Sequence, residues 1–203
     1  MSNIIRKGTP LKEAQKVAIL IHGRGASAQS ILTLEDHLNL KDFALMAPQA
    51  DGSTWYPYSF MAPDQQNEPT FSKAIDTIDG LVNDCFNQGI LSENIYFIGF
   101  SQGACLSLEY ATQNARKYGA VIAFTGGLIG EKLNSEKYSG DFDSTPVFID
   151  SSKQDIHVPL SRIKESASLM EHMGANVKTL IFDDPQHTIR QEEIDWVNAN
   201  LLK

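Results

Sequence analysis

Short apolar segments alternate with longer amphipathic segments along most of the chain. The apolar segments are three to six residues long and contain few polar positions. That pattern is expected for parallel strands whose two faces are both covered by other elements. It predicts six strands, at residues 17–21, 43–46, 95–98, 120–124, 147–149 and 177–182.

The amphipathic segments place apolar residues three or four positions apart, which is the spacing of one helix face. They predict five helices, at residues 28–38, 72–87, 103–117, 160–173 and 189–202. Gly119 and Gly174 stand close behind two of these, where glycine often ends a helix. Strands that alternate with helices predict one α/β domain over residues 1–203, with a mostly parallel sheet of six or seven strands and helices on both faces.

Two long segments interrupt the alternation, at residues 48–70 and 126–145. Both follow predicted strands, at the sheet edge where α/β proteins bind their ligands, and loops of this length are usually functional. The first segment contains four prolines and four closely spaced aromatic residues: Trp55, Tyr56, Tyr58 and Phe60. These rings could wall an apolar pocket or pin the loop to the protein surface.

Composition and charge narrow the choice of partners. The chain has 17 basic and 25 acidic residues, a net charge of −8, and no basic cluster, so we expect no nucleic-acid partner. No apolar run approaches the length of a membrane span. The first seven residues contain no apolar stretch long enough for a signal peptide.

Cysteine and histidine usage indicates a reducing compartment and a site without metal. Cys85 and Cys105 both lie in helical patterns, which predicts free thiols and a cytoplasmic protein. The five histidines lack the paired spacing of metal ligands. We therefore expect no metal and no cofactor.

The strongest chemical signal is the segment Gly99-Phe100-Ser101-Gln102-Gly103. It follows one predicted strand and opens the next predicted helix. A Gly-x-Ser-x-Gly pentad in this context is typical of a nucleophile elbow, whose tight turn admits only small residues two positions before and after the serine. We therefore predict Ser101 to be an exposed nucleophile at the end of the sheet.

A serine hydroxyl needs a base to take its proton, and that base is usually a histidine oriented by a carboxylate. In hydrolases built on such a sheet, the acid and then the base follow the serine along the chain, on loops after later strands. Asp155 follows the fifth predicted strand and His187 the sixth, so we predict them as acid and base. Asp150, Asp183 and His157 are the alternatives in the same two regions.

The tetrahedral intermediate of acyl transfer needs two aimed N–H donors. The residue after the nucleophile, Gln102, would supply one. The loop His22-Gly23-Arg24-Gly25 would supply the other, because its two glycines let the backbone turn and leave the Arg24 amide free. We expect the His22 side chain to hold this loop by hydrogen bonds rather than to take part in catalysis.

These motifs together resemble the phospholipase/carboxylesterase family of α/β-hydrolases, which includes acyl-protein thioesterases and small bacterial carboxylesterases. The resemblance rests on His-Gly-x-Gly after the first strand, a Trp in a Pro-rich loop, Gly-Phe-Ser-Gln-Gly, Asp-x-x-Val-Pro and a late histidine, and it covers roughly residues 15–202. It implies a triad of Ser101, Asp155 and His187, with an oxyanion hole formed by the amides of Arg24 and Gln102.

The resemblance also implies that Trp55 lines the acyl site, and we add its neighbour Tyr56 as a substrate-binding residue. The chain departs from the family at three places. Gln186 stands where a glycine commonly precedes the late histidine, Ser151-Ser152 replaces a His-Gly pair, and Arg24 replaces an apolar residue. The Arg24 guanidinium could bind a carboxylate or phosphate of the substrate. Alternatively, it pairs with a local acid or points into solvent.

The leading functional hypothesis is a serine carboxylester hydrolase that cleaves a small or medium acyl ester or thioester through a covalent acyl-enzyme. A lactone hydrolase of the dienelactone type is an alternative, although such enzymes typically use a cysteine nucleophile. A non-catalytic protein of this fold that binds a small molecule is another, and the presence of every triad candidate counts against it. Apolar loops around the site would also suit a homodimer.

Overall fold

The computed structural model describes residues 3–203. Met1 and Ser2, part of the segment in which we expect no signal peptide, lie outside the described residues. The strands in the described part are Ile4–Gly8 (β1), Lys16–Ile21 (β2), Phe43–Pro48 (β3), Ile95–Phe100 (β4), Ala120–Phe124 (β5), Pro146–Ser152 (β6) and Asn176–Phe182 (β7). The α-helices there are Ala28–Ile31 (α1), Asp64–Asn67 (α2), Thr70–Asn87 (α3), Gln102–Gln113 (α4), Leu160–His172 (α5) and Gln191–Asn200 (α6).

All seven strands belong to one sheet, in the order β1-β3-β2-β4-β5-β6-β7. Only β1 runs antiparallel to its neighbour, and every other pair is parallel. The chain leaves β2 for β3 on one side and then returns to β4 on the other, so the strand order reverses between β2 and β4. The loops after these two strands therefore diverge and leave a crevice at the carboxyl edge of the sheet, which is where ligands bind in this architecture.

Two apolar layers cover the sheet. Side chains of α3, α4 and α5, such as Ile78, Leu106 and Ile163, form a core with one face, whereas α1 and α6 contribute Ile31 and Val197 to the core on the other face. Strands β3 and β5 are buried along their whole length, which explains their unbroken apolar sequences. The predicted mostly parallel α/β sheet with helices on both faces is confirmed.

The structure corrects three details of the sequence prediction. Strand β1 is not predicted, because its sequence Ile-Ile-Arg-Lys-Gly has only two apolar residues and forms a sheet edge with little burial. The predicted helix 28–38 is one α-helical turn followed by the 3-10 helix Leu32–Asp36. Helix α4 ends at Gln113 rather than residue 117, and Gly119 is required for another reason, because a Cβ there would overlap the ring of Tyr96.

Gly174 follows α5 with a φ of +84°, as the prediction of a glycine helix end requires. Across residues 3–203, the longest helices are too short or too polar to cross a membrane.

Candidate active site

Ser101 occupies a sharp turn between β4 and α4, with a φ of +54° and a ψ of −116°. Its amide donates to the Phe124 carbonyl on β5, at 2.9 Å. The two flanking glycines have no room for a side chain: a Cβ at Gly99 would overlap the Gly103 backbone, and a Cβ at Gly103 would overlap the Ile21 carbonyl at the end of β2. The predicted need for small residues around the serine is confirmed, and the turn holds the hydroxyl at the carboxyl edge of the sheet.

Two loops from later strands bring a histidine and an aspartate to this hydroxyl. The distance from His187 Nε2 to Ser101 Oγ is 2.8 Å, and that from His187 Nδ1 to Asp155 Oδ2 is 2.7 Å. The other carboxylate oxygen, Asp155 Oδ1, accepts from the amides of His157 and Val158 at 2.7 and 3.1 Å. The Asp155 side chain is fully buried, whereas 22% of the His187 side chain is exposed. The three side chains thus form one hydrogen-bonded series, from the Ser101 hydroxyl through the His187 ring to the Asp155 carboxylate, which is the arrangement that the predicted triad requires.

The three alternative residues occupy other positions. Asp150 is buried within β6 and is bonded to Thr125, whereas the carboxylate at His187 Nδ1 is that of Asp155. Asp183 is exposed and forms an ion pair with Lys153 at 3.0 Å. The His157 ring lies edge-on to the His187 ring, with 5.0 Å between centroids, and borders the cavity described below.

The loop that carries His187 is anchored by Arg190, a residue that the sequence prediction missed. Arg190 Nη2 donates to Ser152 Oγ and to Asp184 Oδ1, both at 2.7 Å. The Ser152 hydroxyl donates to the carbonyl of Gln186 at 2.9 Å. Ser152 and Gln186 are two of the places where the sequence departs from the family pattern, and these departures were the signal in the sequence that could have indicated the role of Arg190. Arg190, Ser152, Asp184 and Gln186 belong to one hydrogen-bonded cluster behind the histidine.

A buried pair of carboxyl groups, Asp150 and Glu193, continues this cluster beneath the site. Asp150 accepts from the amide and the hydroxyl of Thr125, each at 3.0 Å, and Glu193 is bonded to the Arg190 side chain at 3.0 Å. Burial, followed by the charge of Glu193, raises the pKa of Asp150 well above its ordinary value. Arg190 compensates the charge of Glu193, so we expect Asp150 to be the member of the pair that holds a proton.

This pair predicts a pH dependence of stability. A carboxyl whose pKa is raised by folding contributes its stabilisation fully below its unfolded pKa of about 4, and that contribution is lost as the pH rises through the folded pKa. Between those values the slope approaches about 1.4 kcal/mol per pH unit for one proton. We expect Asp150→Asn, which cannot titrate, to unfold with a flatter pH dependence than wild type in urea titrations from pH 5 to 9. Identical slopes for both proteins would contradict the proton assignment.

The Arg24 amide lies in the loop after β2, and the Gln102 amide directly follows the nucleophile. Gln102 is the first residue of α4, where a helix leaves its N–H groups unsatisfied. Gly23 packs against the elbow, since a Cβ there would come within 3.4 Å of Ser101 Cβ. Within residues 3–203, neither amide donates a hydrogen bond to the surrounding loops. Both are therefore available to an oxyanion formed at the serine.

The Arg24 side chain is bonded to a neighbouring segment rather than to a local acid among the described residues, and its substrate-binding role stays a prediction. Its guanidinium donates four hydrogen bonds to residues 54–58, which we call the 54–58 segment, and it forms no ion pair within residues 3–203. The bonds occupy all four terminal N–H groups. A substrate carboxylate or phosphate could bind these terminal N–H groups only by replacing some of the four bonds.

Trp55 also differs from the expectation. It is buried, and its indole N–H donates to the His22 carbonyl at 2.9 Å. It does not border the cavity beside Ser101, whereas its neighbour Tyr56 does. The sequence pattern marked an aromatic loop near the site; Trp55 and Tyr56 are both buried there, and of the two Tyr56 borders the cavity.

The His22 ring holds the first loop in place, as predicted. It is fully buried, its Nδ1 lies 2.8 Å from the Gly23 carbonyl, and its Nε2 accepts from the Ala50 amide at 3.1 Å. Burial lowers its pKa, so the ring is neutral and can serve as donor and acceptor at once.

A cavity of about 680 Å³ opens beside the serine. No acidic side chain of the described residues lines it. Its apolar lining comes from the 54–58 segment and its neighbour Phe60, the elbow and the loop after β6: Tyr56, Tyr58, Phe60, Phe100, Ile156 and Val158. Tyr58 and Ile156 are 57% and 87% exposed and form an apolar rim. The cavity therefore suits an apolar group next to the reacting atom.

Cys105 also borders this cavity, and it is the one thiol near the site among the described residues. Burial raises its pKa to about 11, so the thiol is protonated at neutral pH and is a poor nucleophile. Within residues 3–203, no three His, Cys, Asp or Glu side chains come together in a way that could hold a metal ion.

Comparison with known proteins identifies relatives along nearly the whole chain. Residues 6–203 match the family model described as phospholipase/carboxylesterase. The crystal structure of a phospholipase/carboxylesterase from Dyadobacter fermentans is 49% identical, with a TM-score of 0.98, and the match covers 100% of this chain and 97% of that one. The chain is also 27% identical to acyl-protein thioesterase 1 of Debaryomyces hansenii, over 94% of this chain and 91% of the relative.

Other curated relatives match over less of their length. Acyl-protein thioesterase 1 of Gibberella zeae is 30% identical over 125 residues, which is 61% of this chain and 53% of the relative. The chain thus spans about half the length of the first curated relatives that it matches. The α/β-hydrolase fold is nevertheless shared from end to end with the Dyadobacter protein. With its sheet, its elbow and a family model that matches all but the first five residues, the chain belongs to the phospholipase/carboxylesterase family.

Proposed function

We propose that the chain is a serine carboxylester hydrolase that cleaves a small or medium acyl ester or thioester through a covalent acyl-enzyme. The observation that carries the proposal is the continuous hydrogen-bonded series from Ser101 Oγ through the His187 ring to Asp155, with distances of 2.8 and 2.7 Å. Family membership supports the same chemistry.

The catalytic steps follow from these contacts. His187 Nε2 takes the hydroxyl proton while Ser101 Oγ attacks the acyl carbon, and the carbonyl electrons move onto the oxygen facing the amides of Arg24 and Gln102. The tetrahedral intermediate collapses, and His187 gives its proton to the departing alcohol or thiol. Water, deprotonated by the same ring, then attacks the acyl-enzyme and releases the acid and the free serine. Asp155 stabilises the imidazolium of His187 during both acylation and deacylation.

The alternatives have less support. A lactone hydrolase that relies on a cysteine nucleophile is disfavoured by the raised pKa of Cys105. A non-catalytic binding protein would have no need of a serine at a positive φ aligned with a histidine at hydrogen-bond distance.

Two experiments test the proposed function. A fluorophosphonate probe should label the wild-type protein with one equivalent, at Ser101, because only an activated serine reacts readily. A series of p-nitrophenyl esters and CoA thioesters of increasing chain length, including acid-bearing members, should then give turnover with a burst of one product equivalent and reveal the preferred acyl size. A protein that is neither labelled nor active on any member would contradict the proposal.

We also propose that the protein is cytoplasmic and that it forms a homodimer. Cys85 and Cys105 are both free and buried, which suits a reducing compartment. The exposed Tyr58 and Ile156 at the cavity rim would be the apolar part of a dimer contact. Analytical ultracentrifugation of wild type and Ile156→Ser tests the second point, since the substitution should weaken self-association.

A further inference from the structure

We propose that the side chains of Arg24 and Gln102 are positioning residues that hold the oxyanion hole in shape. Both anchor the same stretch of backbone, the 54–58 segment, and thereby hold their own amides in the orientation that the reaction needs. This inference rests on the proposed function and goes beyond it, because it assigns the two side chains rather than the two amides.

The contacts of Arg24 span the whole segment. Nη1 donates to Thr54 Oγ1 at 3.0 Å and to the Pro57 carbonyl at 2.9 Å. Nη2 donates to the carbonyls of Tyr56 and Tyr58 at 2.8 and 2.7 Å. Four acceptors around one planar guanidinium use the fixed geometry of its terminal donors, which no other side chain offers. These contacts therefore fix the shape of the segment as well as its distance from Arg24.

The Gln102 side chain contacts the same segment from the other side of the nucleophile. Its Nε2 donates to the Tyr56 carbonyl at 2.9 Å, and its Oε1 accepts from the Trp55 amide at 2.9 Å. Gln102 is only 4% exposed, so these bonds are shielded from water. The Tyr56 carbonyl thus accepts from both Arg24 and Gln102, and it links the loop that carries the Arg24 amide to the start of α4, which carries the Gln102 amide.

Further bonds hold the backbone on each side of Arg24. The Trp55 indole donates to the carbonyl of His22, and the Gly25 amide donates to the carbonyl of Ser53 at 2.7 Å. The loop around Arg24 and the residues from 53 to 58 therefore form one hydrogen-bonded unit, with Arg24 at its centre.

Such anchoring is needed because Arg24 lies between two glycines. Gly25 has a φ of +74°, and a Cβ there would meet no atom within 4 Å, so this part of the loop has little packing of its own. A glycine-flanked peptide can adopt many orientations. Electrostatic stabilisation of an oxyanion depends on donors that are already oriented before the charge develops, and a displacement near 1 Å can reduce the rate by about 100-fold.

The charge of Arg24 could instead attract an acid-bearing substrate, and Arg24→Lys separates the two roles. Lysine keeps the positive charge but has a single ammonium group on a flexible chain, which cannot reach four acceptors arranged for a guanidinium. We expect kcat on neutral p-nitrophenyl esters to fall about tenfold to 100-fold, with KM changed less than twofold. The affinity for a trifluoromethyl ketone, which forms an oxyanion when bound to the serine, should fall by a similar factor.

Controls and a second variant make the test decisive. Arg6→Lys changes an exposed arginine of β1 that pairs with Asp84, and it should leave kcat unchanged. Gln102→Leu should also lower kcat while keeping its amide. The double variant should lose less than the product of the two single losses, because both side chains anchor the Tyr56 carbonyl.

The measured kcat values separate the positioning role from the other roles of Arg24. A kcat of Arg24→Lys within twofold of wild type overturns the proposal, as does a loss confined to acid-bearing esters, which would assign a substrate-binding role to the side chain. If Arg24→Lys does not fold, Gln102→Leu decides by the same kcat criterion. Wild-type protein that hydrolyses no ester would instead refute the proposed function.

Discussion

Replacing Ser101 with alanine is expected to lower kcat for ester hydrolysis by about four to six orders of magnitude. The Oγ atom is the group that would form the covalent intermediate, and it lies 2.8 Å from the base. The variant should also lose the burst phase and the fluorophosphonate label together, because both need the same atom. Stopped-flow measurements with p-nitrophenyl acetate and mass spectrometry of the labelled protein measure these effects.

The same variant should remain folded. Alanine keeps the Cβ of Ser101 and removes a single side-chain hydrogen bond, so we expect the free energy of unfolding to change by about 1 kcal/mol or less. Ser139→Ala is the matched control, since Ser139 is exposed and precedes β6 at the opposite edge of the sheet. A folded Ser101→Ala protein with turnover near wild type would exclude this serine as nucleophile.

Replacing Asp155 with asparagine is expected to lower kcat by about 10⁴-fold. The backbone amides of His157 and Val158 donate hydrogen bonds to Asp155 Oδ1, so the atom at that position must be an acceptor. The asparagine amide oxygen should take that place, which turns its NH₂ group towards His187 Nδ1. The ring is then held with its proton on Nε2, and it can no longer take a proton from the serine.

A neighbouring carboxylate provides the control for this result. Asp183→Asn removes one exposed charge from the loop that carries His187 and should retain activity within about twofold, since only an exposed pair with Lys153 is lost. Nitrogen-15 spectra of the His187 ring report the tautomer directly. A proton that stays on Nδ1 in Asp155→Asn, or equal losses in the two variants, would contradict the orienting role.

Most of the sheet could be predicted from the sequence because its signals are local. A buried parallel strand is an unbroken apolar run, and the runs at β2 to β7 each match their strand within a few residues. Strand β1 was not predicted because its pairing with β3 stabilises the extended conformation, and its two apolar residues alone do not indicate a strand. The predicted C-terminus of α4 lies too far along the chain. Gly119 suggested a helix end there, but a glycine is needed at that position because a side chain would overlap the Tyr96 ring.

In the candidate site too, local signals could be predicted from the sequence and contacts between distant segments could not. Ser101, Asp155 and His187 could be predicted as a triad from a local pentad and from the order of the loops after the strands, and both of these signals are visible in a linear sequence. The roles of the Trp55 and Arg24 side chains could not be assigned, because their contacts join segments about 30 residues apart that meet only in the fold. Arg190 was missed because it joins the loop after β7 to Ser152 at the end of β6, which lies 38 residues earlier in the sequence.

The base of the proposed triad follows β7, one of the two edge strands of the sheet. None of the residues of β7 is fully buried, whereas β3 and β5 are buried throughout. Edge elements with little buried surface open more often than the centre of a domain. The imidazole should therefore leave the serine while β4 and its neighbours are still folded. We expect heating to abolish hydrolysis several degrees below the loss of the far-ultraviolet circular dichroism signal, and amide hydrogens of β7 to exchange before those of β4.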